Sequence, residues 1–81
     1  MKNVIIYTQP TCPPCFAEKE WLKAQQITFE ERDIRSNPTY MNEVMALGAS
    51  QTPVTVVADG DQQHIILGFD EDQLTAALCD S

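Results

Sequence analysis

Residues 2–26 read KNVIIYTQPTCPPCFAEKEWLKAQQ, and this stretch decides the fold. The segment from Lys2 to Thr8 is rich in β-branched residues and apolar on both alternations, as in a central strand that is covered on both faces. From Pro14 to about Gln26 the chain is rich in helix formers. Cys12 and Cys15 therefore stand where a predicted strand gives way to a predicted helix.

The predicted first helix carries an apolar stripe at Ala17, Trp21 and Ala24, with Leu22 beside it, which is typical of a helix that packs on one side. A second strand is predicted from Thr28 to Ile34, and together with the first strand and the helix it forms a βαβ unit. Such a unit joins two parallel strands by a right-handed crossover.

A second helix is predicted to begin after Asn37, because Asn37-Pro38 offers an N-cap followed by proline at the first helical position. It runs to about Leu47, and Gly48 is suited to the left-handed residue that ends a helix. The signals that follow it predict an antiparallel hairpin.

In this hairpin, strands at Val54–Ala58 and Gln62–Leu67 flank Asp59-Gly60, a pair suited to a two-residue type I′ turn. A third helix then runs through Leu78. Its start is marked by Asp70 and Gln73 as a capping box, and by Phe69 as a hydrophobic staple to Leu74.

Composition indicates one globular domain that spans residues 1–81, because an 81-residue chain is too short for two separate cores. The element order is βαβ-α-ββα. We therefore predict an α/β fold in which a four-stranded mixed sheet is flanked by three helices.

Charge and hydropathy exclude two classes of partner. The net charge is −7 and the five basic residues are scattered, so no cationic stripe is available for nucleic acid. The longest apolar stretch, Val4–Tyr7, is far shorter than the roughly 20 residues that a membrane span needs, and no secretion signal precedes it. We expect a cytoplasmic, monomeric protein with neither nucleic acid nor membrane as partner.

The motif Cys12-Pro13-Pro14-Cys15 carries the chemistry. A three-residue step along a helix brings the second sulfur beside the first, within disulfide reach. The helix N-terminus favours thiolate over thiol at Cys12, which is therefore the expected nucleophile. Cys15, deeper in the helix, is expected to be the resolving thiol that attacks the mixed disulfide.

A zinc site is the alternative of another class. Cys12, Cys15, His64 and Cys79 would make a Cys₃His set, although His64 and Cys79 lie on different predicted elements and lack the spacing of zinc ligands. We therefore predict no metal site, with His64 on the solvent face of its strand and Cys79 as a packing residue near the C-terminus. A non-catalytic interaction module is a further alternative.

The motifs resemble the glutaredoxin family of the thioredoxin superfamily, and most closely its NrdH-redoxins, the small electron donors of ribonucleotide reductase. The resemblance rests on Tyr7-Thr8-x-Pro-x-Cys12-x-x-Cys15, Gln51-Thr52-Pro53-Val54 and Gly68-Phe69. It implies a thioredoxin-like fold with a cis peptide bond before Pro53 and with the Thr52 backbone paired to the substrate chain. The substrate-contacting residues that it implies are Tyr7, Thr8, Pro13, Thr52, Pro53, Gly68 and Phe69.

The resemblance also implies the reaction and its partners. The protein would be a thiol–disulfide oxidoreductase with no bound cofactor, whose redox group is the Cys12–Cys15 disulfide. It would reduce protein disulfides, those of ribonucleotide reductase among them, and would itself be reduced by thioredoxin reductase with NADPH.

A glutathione-dependent glutaredoxin remains the alternative within the same family. Glutathione-using members commonly carry a basic residue where this chain has Gln9, and a Gly-Gly pair where it has Leu67-Gly68. The first difference removes a charge partner for a carboxylate, and the second adds a side chain where the peptide would lie. Both differences disfavour a glutathione site, while Asp70 keeps an acidic group at the start of the third helix.

Overall fold

A single mixed sheet organises the protein, whose structure is a computed structural model that describes residues 2–78. The elements in chain order are β1 (Lys2–Thr8), α1 (Pro13–Ala24), β2 (Glu30–Asp33), α2 (Pro38–Ala46), β3 (Val54–Asp59), β4 (Gln62–Leu67) and α3 (Glu71–Leu78). The strand order is β2-β1-β3-β4, with β1 and β2 parallel and the other neighbours antiparallel. The predicted α/β architecture is confirmed. No helix within residues 2–78 is long and apolar enough to cross a membrane.

Two elements of the βαβ unit, α1 and β2, have boundaries that differ from the prediction. Helix α1 begins one residue early, because Pro13 needs no N–H partner at the first helical position. It ends at Ala24, because Gln26 takes a φ of 60° in the left-handed region and cannot continue the helix. Strand β2 covers Glu30–Asp33, which is shorter than the predicted segment from Thr28 to Ile34.

The hairpin turn lies one residue further along than predicted. Asp59 pairs with Gln62, so β3 extends to Asp59 and the two loop residues are Gly60 and Asp61. Gly60 has a φ of 63°, whereas Asp61 does not take a positive φ. A type I′ turn needs positive φ at both central positions and a type II′ turn only at the first, which is commonly glycine. The observed turn therefore fits type II′, and the predicted Asp59-Gly60 type I′ turn was wrong.

Side-chain caps fix the starts of α2 and α3. Asn37 Oδ1 accepts the Thr39 N–H at 3.0 Å, as an N-cap should, and α2 ends at Ala46, one residue before the predicted end. Asp70 Oδ1 accepts the Gln73 N–H at 3.1 Å. The Gln73 side chain donates to the other Asp70 oxygen at 2.9 Å, instead of accepting from the backbone as a capping box would.

Apolar side chains cover both faces of the sheet. One face packs against α2 through a cluster of Tyr7, Val44, Val54 and Val56. The other face packs against α3, and the half-buried Trp21 of α1 joins that cluster; its buried members are Val57, Ile66, Leu74 and Ala77. Phe69 packs against the same cluster, which agrees with the predicted staple.

Helix α1 buries a face that the predicted stripe does not contain. Its buried residues are Cys15, Glu18 and Leu22, spaced three and four apart on one side of the helix. Ala17 and Ala24 are exposed, so the predicted apolar stripe was wrong. This face brings Cys15 into the core and also buries a carboxylic acid, that of Glu18.

Candidate active site

The two cysteines of the motif form a disulfide bond at the N-terminus of α1. Cys12 is the N-cap residue, and its sulfur accepts the backbone N–H of Cys15 at 3.2 Å. The Cα atoms lie 5.2 Å apart, within the usual range for a disulfide. The pairing expected from the three-residue helical step is therefore present in the structure.

The two sulfur-bearing residues differ in access to solvent. Cys12 is 8% exposed and Cys15 only 1% exposed. Pro13 and Pro14 follow Cys12 and have no N–H, so the amide of Cys15 is the first along the chain after Cys12 that can donate to its sulfur. An incoming thiolate or disulfide therefore meets Cys12 first, and Cys15 acts from within the protein.

A second hydrogen bond reaches Cys12 from the loop before β3. Thr52 Oγ1 donates to Cys12 Sγ at 3.5 Å, and Gln9 Nε2 donates in turn to Thr52 Oγ1 at 3.0 Å. Sequence reasoning treated Gln9 only as a missing positive charge and missed this contact. Polar side chains at two positions of the family motif were the available signal, but nothing local in the sequence pairs residues 43 positions apart.

The loop around Thr52 meets the end of β4 beside the disulfide. The Thr52-Pro53 peptide bond is cis, as the resemblance implied. Gly68 N–H donates to the Pro53 carbonyl at 2.8 Å and ties the two segments together. A cavity of about 310 Å³ lies here, lined by Gly48, Ala49, Ser50, Gln51, Thr52, Leu67 and Gly68.

A second cavity, of about 240 Å³, is lined by both cysteines. Thr8, buried at its wall, donates from Oγ1 to Glu31 Oε2 at 2.8 Å, and Lys19 Nζ lies 2.9 Å from the same oxygen. The hydrogen bond from Lys19 is the main cause that lowers the pKa of Glu31. The cavity lining includes Gln9, Pro10, Cys12, Cys15, Phe16, Lys19, Glu31 and Asp33.

Two predicted contact residues lie apart from this group. Tyr7 is buried on the α2 face, where its hydroxyl donates to Glu43 at 2.7 Å and accepts from Arg32 at 3.1 Å. Burial is the main cause that raises the pKa of Tyr7. Phe69 packs edge-on against Trp21 with ring centroids 6.4 Å apart. Both side chains therefore make contacts inside the protein, and their roles as substrate contacts remain predictions.

Pro13, His64 and Cys79 were also singled out in the sequence. Pro13 is exposed at the start of α1, next to Cys12. His64 is exposed on β4, whereas Cys79 lies outside the described residues. Within residues 2–78 no group of three or more His, Cys, Asp and Glu side chains could share a metal ion.

A buried acid lies one helical turn after Cys15, and the sequence analysis did not identify it. Glu18 is fully buried, and Thr55 Oγ1 of β3 donates a hydrogen bond to Glu18 Oε2. Burial raises the pKa of Glu18 to about 7, and the Thr55 hydrogen bond opposes that rise. The signal in the sequence was the spacing Cys15-x-x-Glu18 on a helix with one buried face.

In the reduced protein, Thr52→Val should slow alkylation of Cys12 by iodoacetamide at neutral pH about fivefold. The variant keeps the shape of the side chain but removes a donor to the sulfur, and about 1 kcal/mol is reasonable for one long hydrogen bond to a thiolate. Peptide mapping should show Cys12 labelled before Cys15. The matched control is Thr75→Val, an exposed change on α3. An unchanged rate in Thr52→Val would mean that the hydroxyl does not stabilise the thiolate.

Comparison with known proteins places this site in a family. Residues 4–65 match the family model described as Glutaredoxin. The Gene 56 protein of Mycobacterium phage L5 is 38% identical over 88% of this chain and 67% of its own length. The glutaredoxin-like protein NrdH of Lactococcus lactis subsp. lactis (strain IL1403) is 30% identical over 69% of this chain and 78% of its own.

A solved structure agrees with these relatives. The glutaredoxin-like protein NrdH-redoxin from Escherichia coli superposes with a TM-score of 0.76 and 27% identity, over 90% of this chain and 91% of that one. The family model spans the segment that contains Cys12 and Cys15. This chain therefore belongs to the glutaredoxin family, close to the NrdH-redoxins, and is a thiol–disulfide oxidoreductase with a thioredoxin-like fold.

Proposed function

We propose that the protein is a cytoplasmic, monomeric dithiol electron carrier that reduces protein disulfides and is itself reduced by thioredoxin reductase with NADPH. The observation that carries the proposal is the site itself: Cys12 is more exposed than Cys15, and the two are joined at a helix N-terminus beside the Thr52-Pro53 loop. The redox group is this disulfide, with no bound cofactor. Ribonucleotide reductase is the proposed recipient, by resemblance to the NrdH-redoxins.

Exposed apolar side chains beside the site support a protein substrate. Phe16 is 64% exposed immediately after Cys15, and Leu67 is 57% exposed at the cavity that contains Thr52. Large apolar side chains exposed around a reactive group are typical of a surface that another protein covers. A substrate segment would pair with the Thr52 backbone as an added strand and present its disulfide to Cys12.

The charges near the site disfavour glutathione as the reductant. Gln9 is neutral, and its amide is engaged by Thr52. The ammonium group of Lys19 is engaged by Glu31 in the cavity next to the cysteines. A glutathione carboxylate would have to displace one of these partners. The structural neighbour from E. coli is itself described as having a thioredoxin-like activity profile.

The oxidised protein should be reduced at least about tenfold faster by thioredoxin reductase with NADPH than by glutathione with glutathione reductase. The expected factor corresponds to the loss of one charge-assisted hydrogen bond to glutathione. The measurement is NADPH consumption in each coupled assay, with ribonucleotide reductase as the terminal acceptor in a parallel series. The Cys12→Ser variant supplies the background rate.

A double variant sharpens this comparison. Gln9→Arg with Leu67→Gly introduces the basic residue and the glycine pair that glutathione-using relatives commonly carry, so its glutathione-linked rate should rise. Faster turnover of the unmodified protein with glutathione would make it a glutathione-dependent glutaredoxin instead. Absence of turnover with either donor would contradict the proposed carrier role altogether.

A further inference from the structure

The resolving cysteine, Cys15, must lose its thiol proton before it attacks, and the Cys12–Cys15 pair alone contains no group that would accept this proton. Cys15 must become a thiolate before it can attack, yet it is only 1% exposed and water reaches it poorly. An ordinary thiol with a pKa of about 8.5 is only about 3% ionised at pH 7, and burial in apolar surroundings reduces that fraction. A base close to Cys15 would remove this obstacle.

Glu18 is placed to act as that base. It lies three residues after Cys15 on the buried face of α1, where side chains at this spacing are neighbours. Side chains on a helix generally lean toward its N-terminus, which is the direction of Cys15 from Glu18. The carboxyl group is fully buried, in a part of the core where a carboxylate has no packing advantage over leucine.

The hydrogen bonding of Glu18 leaves one oxygen available. Oε2 accepts from the hydroxyl of Thr55, whereas Oε1 is buried without a hydrogen-bond partner among residues 2–78. A buried polar atom without a partner is costly, and such atoms occur where a site has a function or where a proton or ligand is exchanged. In the disulfide form Cys15 has no proton to donate, whereas the reduced Cys15 carries an S–H group one helical turn from this oxygen.

We propose that the Glu18 carboxyl group exchanges a proton with Cys15, accepting it when Cys15 attacks the mixed disulfide and returning it when the Cys12–Cys15 disulfide is reduced. This inference rests on the proposed dithiol function, because a protein that never forms the mixed disulfide would have no such step. It assigns a role to a residue outside the cysteine motif. The tendency of burial to hold a proton on Glu18 near neutral pH supports the assignment.

In the oxidative half of the cycle, the two cysteines pass two electrons to a substrate disulfide. The Cys12 thiolate attacks a substrate disulfide, and the first substrate sulfur leaves as a thiolate that takes a proton from water. Cys15 S–H then transfers its proton to Glu18, and its sulfur attacks Cys12 Sγ. The bond between Cys12 and the substrate breaks, and the second substrate thiolate leaves. Two electrons have passed to the substrate, and Glu18 is protonated.

The reductive half returns the proton. A thiolate of the donor dithiol attacks Cys12 Sγ, and Cys15 leaves as a thiolate that takes the proton from Glu18. The second donor thiol then loses its proton to water and attacks the donor sulfur of the mixed disulfide, so that the donor becomes a disulfide and Cys12 leaves as a thiolate. The proton therefore stays inside the protein through the steps that occur at the buried sulfur.

The surroundings of Glu18 leave its titration largely independent of other charges. Ile6 and Ile66 flank Thr55 in the register of the sheet, and both are buried. Glu31 lies toward the edge of this face, where it binds Lys19 and Thr8. Among the described residues, the charged or titratable groups on the elements around Glu18 include Cys12 at the start of α1, Cys15, Lys19 and Lys23 on α1, Glu31 and Asp33 on β2, Asp59 at the far end of β3, His64 on β4 and Asp70 at the start of α3.

The test follows the resolving step directly. Reduced protein carrying Cys79→Ser, so that only two thiols react, is mixed with excess dithionitrobenzoate. The first release of thionitrobenzoate reports attack by Cys12, and the second reports resolution by Cys15. Glu18→Gln should leave the first release unchanged and slow the second by about 30-fold or more at pH 7, because only the small thiolate fraction of Cys15 would then react. At high pH the two proteins should converge, because water then ionises Cys15.

A matched control and a second measurement keep the test decisive. Glu20→Gln removes the same charge at an exposed position on the same helix and should change neither release. If Glu18→Gln does not fold, the infrared difference spectrum of the wild type serves instead. Oxidation at neutral pH should produce a protonated-carboxyl band, and reduction should remove it.

The possible failures are distinguishable. No second release in the wild type would contradict the proposed dithiol function. A normal second release with the same rate and pH profile in Glu18→Gln would overturn the role of Glu18 alone. In the infrared experiment, a carboxyl signal that does not change with redox state would overturn it as well.

Discussion

Replacing Cys15 by serine should abolish turnover with protein disulfides and leave Cys12 joined to the substrate as a stable mixed disulfide. The accessible thiolate at the start of α1 still attacks, but no second sulfur remains to release the substrate. The loss should be at least about 1,000-fold, because an intramolecular thiol acts at a high effective concentration that no external thiol in the assay replaces. The assay contains thioredoxin reductase and NADPH but no glutathione, which could release the substrate from Cys12.

Two further variants test whether Cys12 is the nucleophile and whether Cys79 takes part in the reaction. Cys12→Ser should form no mixed disulfide, because Cys15 is 1% exposed and cannot reach an external disulfide. Cys79→Ser should keep nearly full turnover. Non-reducing gel analysis with mass spectrometry identifies the trapped species. A mixed disulfide on Cys15 would reverse the assignment of nucleophile and resolver, and loss of activity in a folded Cys79→Ser would reveal a third redox residue.

The cysteine pair could be predicted from the sequence because its geometry is local. A strand followed by Cys12-x-x-Cys15 at a helix start fixes the distance between the two residues, whatever the rest of the chain does. The strands and caps were predictable for the same reason, because their signals span a few residues. The hairpin turn shifted by one residue because Asp59 joins the ladder instead of the loop.

Contacts between distant segments could not be predicted in this way. The chain of hydrogen bonds from Gln9 through Thr52 to Cys12 depends on the loop before β3 meeting the start of α1. The cis bond before Pro53 was expected only from the family resemblance, because proline alone favours trans. Their position in space follows from the sheet order, which a single sequence does not encode locally.

Glu18 could not be identified because the apolar pattern predicted the wrong buried face for α1. A tryptophan with two alanines at helical spacing suggested the buried face, but that face passes instead through Cys15 and Leu22. Glutamate is usually exposed, so the residue type itself gives no sign that this position is buried. The error hid the one acid among residues 2–78 that the fold buries completely.

Burial of Glu18 should also be visible in the stability of the disulfide form. The pKa of Glu18 is raised from 4.5 to about 7 by folding, so the folded state holds a proton that the unfolded state releases between these values. Stability should therefore fall as pH rises through this window, by about 3 kcal/mol in all. This is a large share of the roughly 4–12 kcal/mol expected for a domain of this size.

The opposite trend should occur at lower pH. The pKa of Glu31 is lowered, chiefly by its hydrogen bond from Lys19, and that of Asp70 is lowered by hydrogen bonds from Gln73. Groups with lowered pKa values stabilise the fold above their unfolded values and lose that effect as pH falls. Their window lies below about pH 4.5, so the two effects separate and stability should be greatest near about pH 5.

Glu18→Leu combined with Thr55→Val tests the cause, because it removes the acid and its donor together and leaves neither buried without a partner. Urea unfolding of the oxidised protein across the pH series should show the double variant more stable than the wild type at pH 8, by up to about 3 kcal/mol. Its stability should no longer fall between pH 4.5 and 7, whereas Glu20→Leu should keep the wild-type curve. A wild-type stability that stays constant through that window would mean that Glu18 ionises in the folded protein as easily as in the unfolded chain. The same measurement bears on the resolving step, since a carboxyl group that holds no proton near neutral pH could not carry one for Cys15.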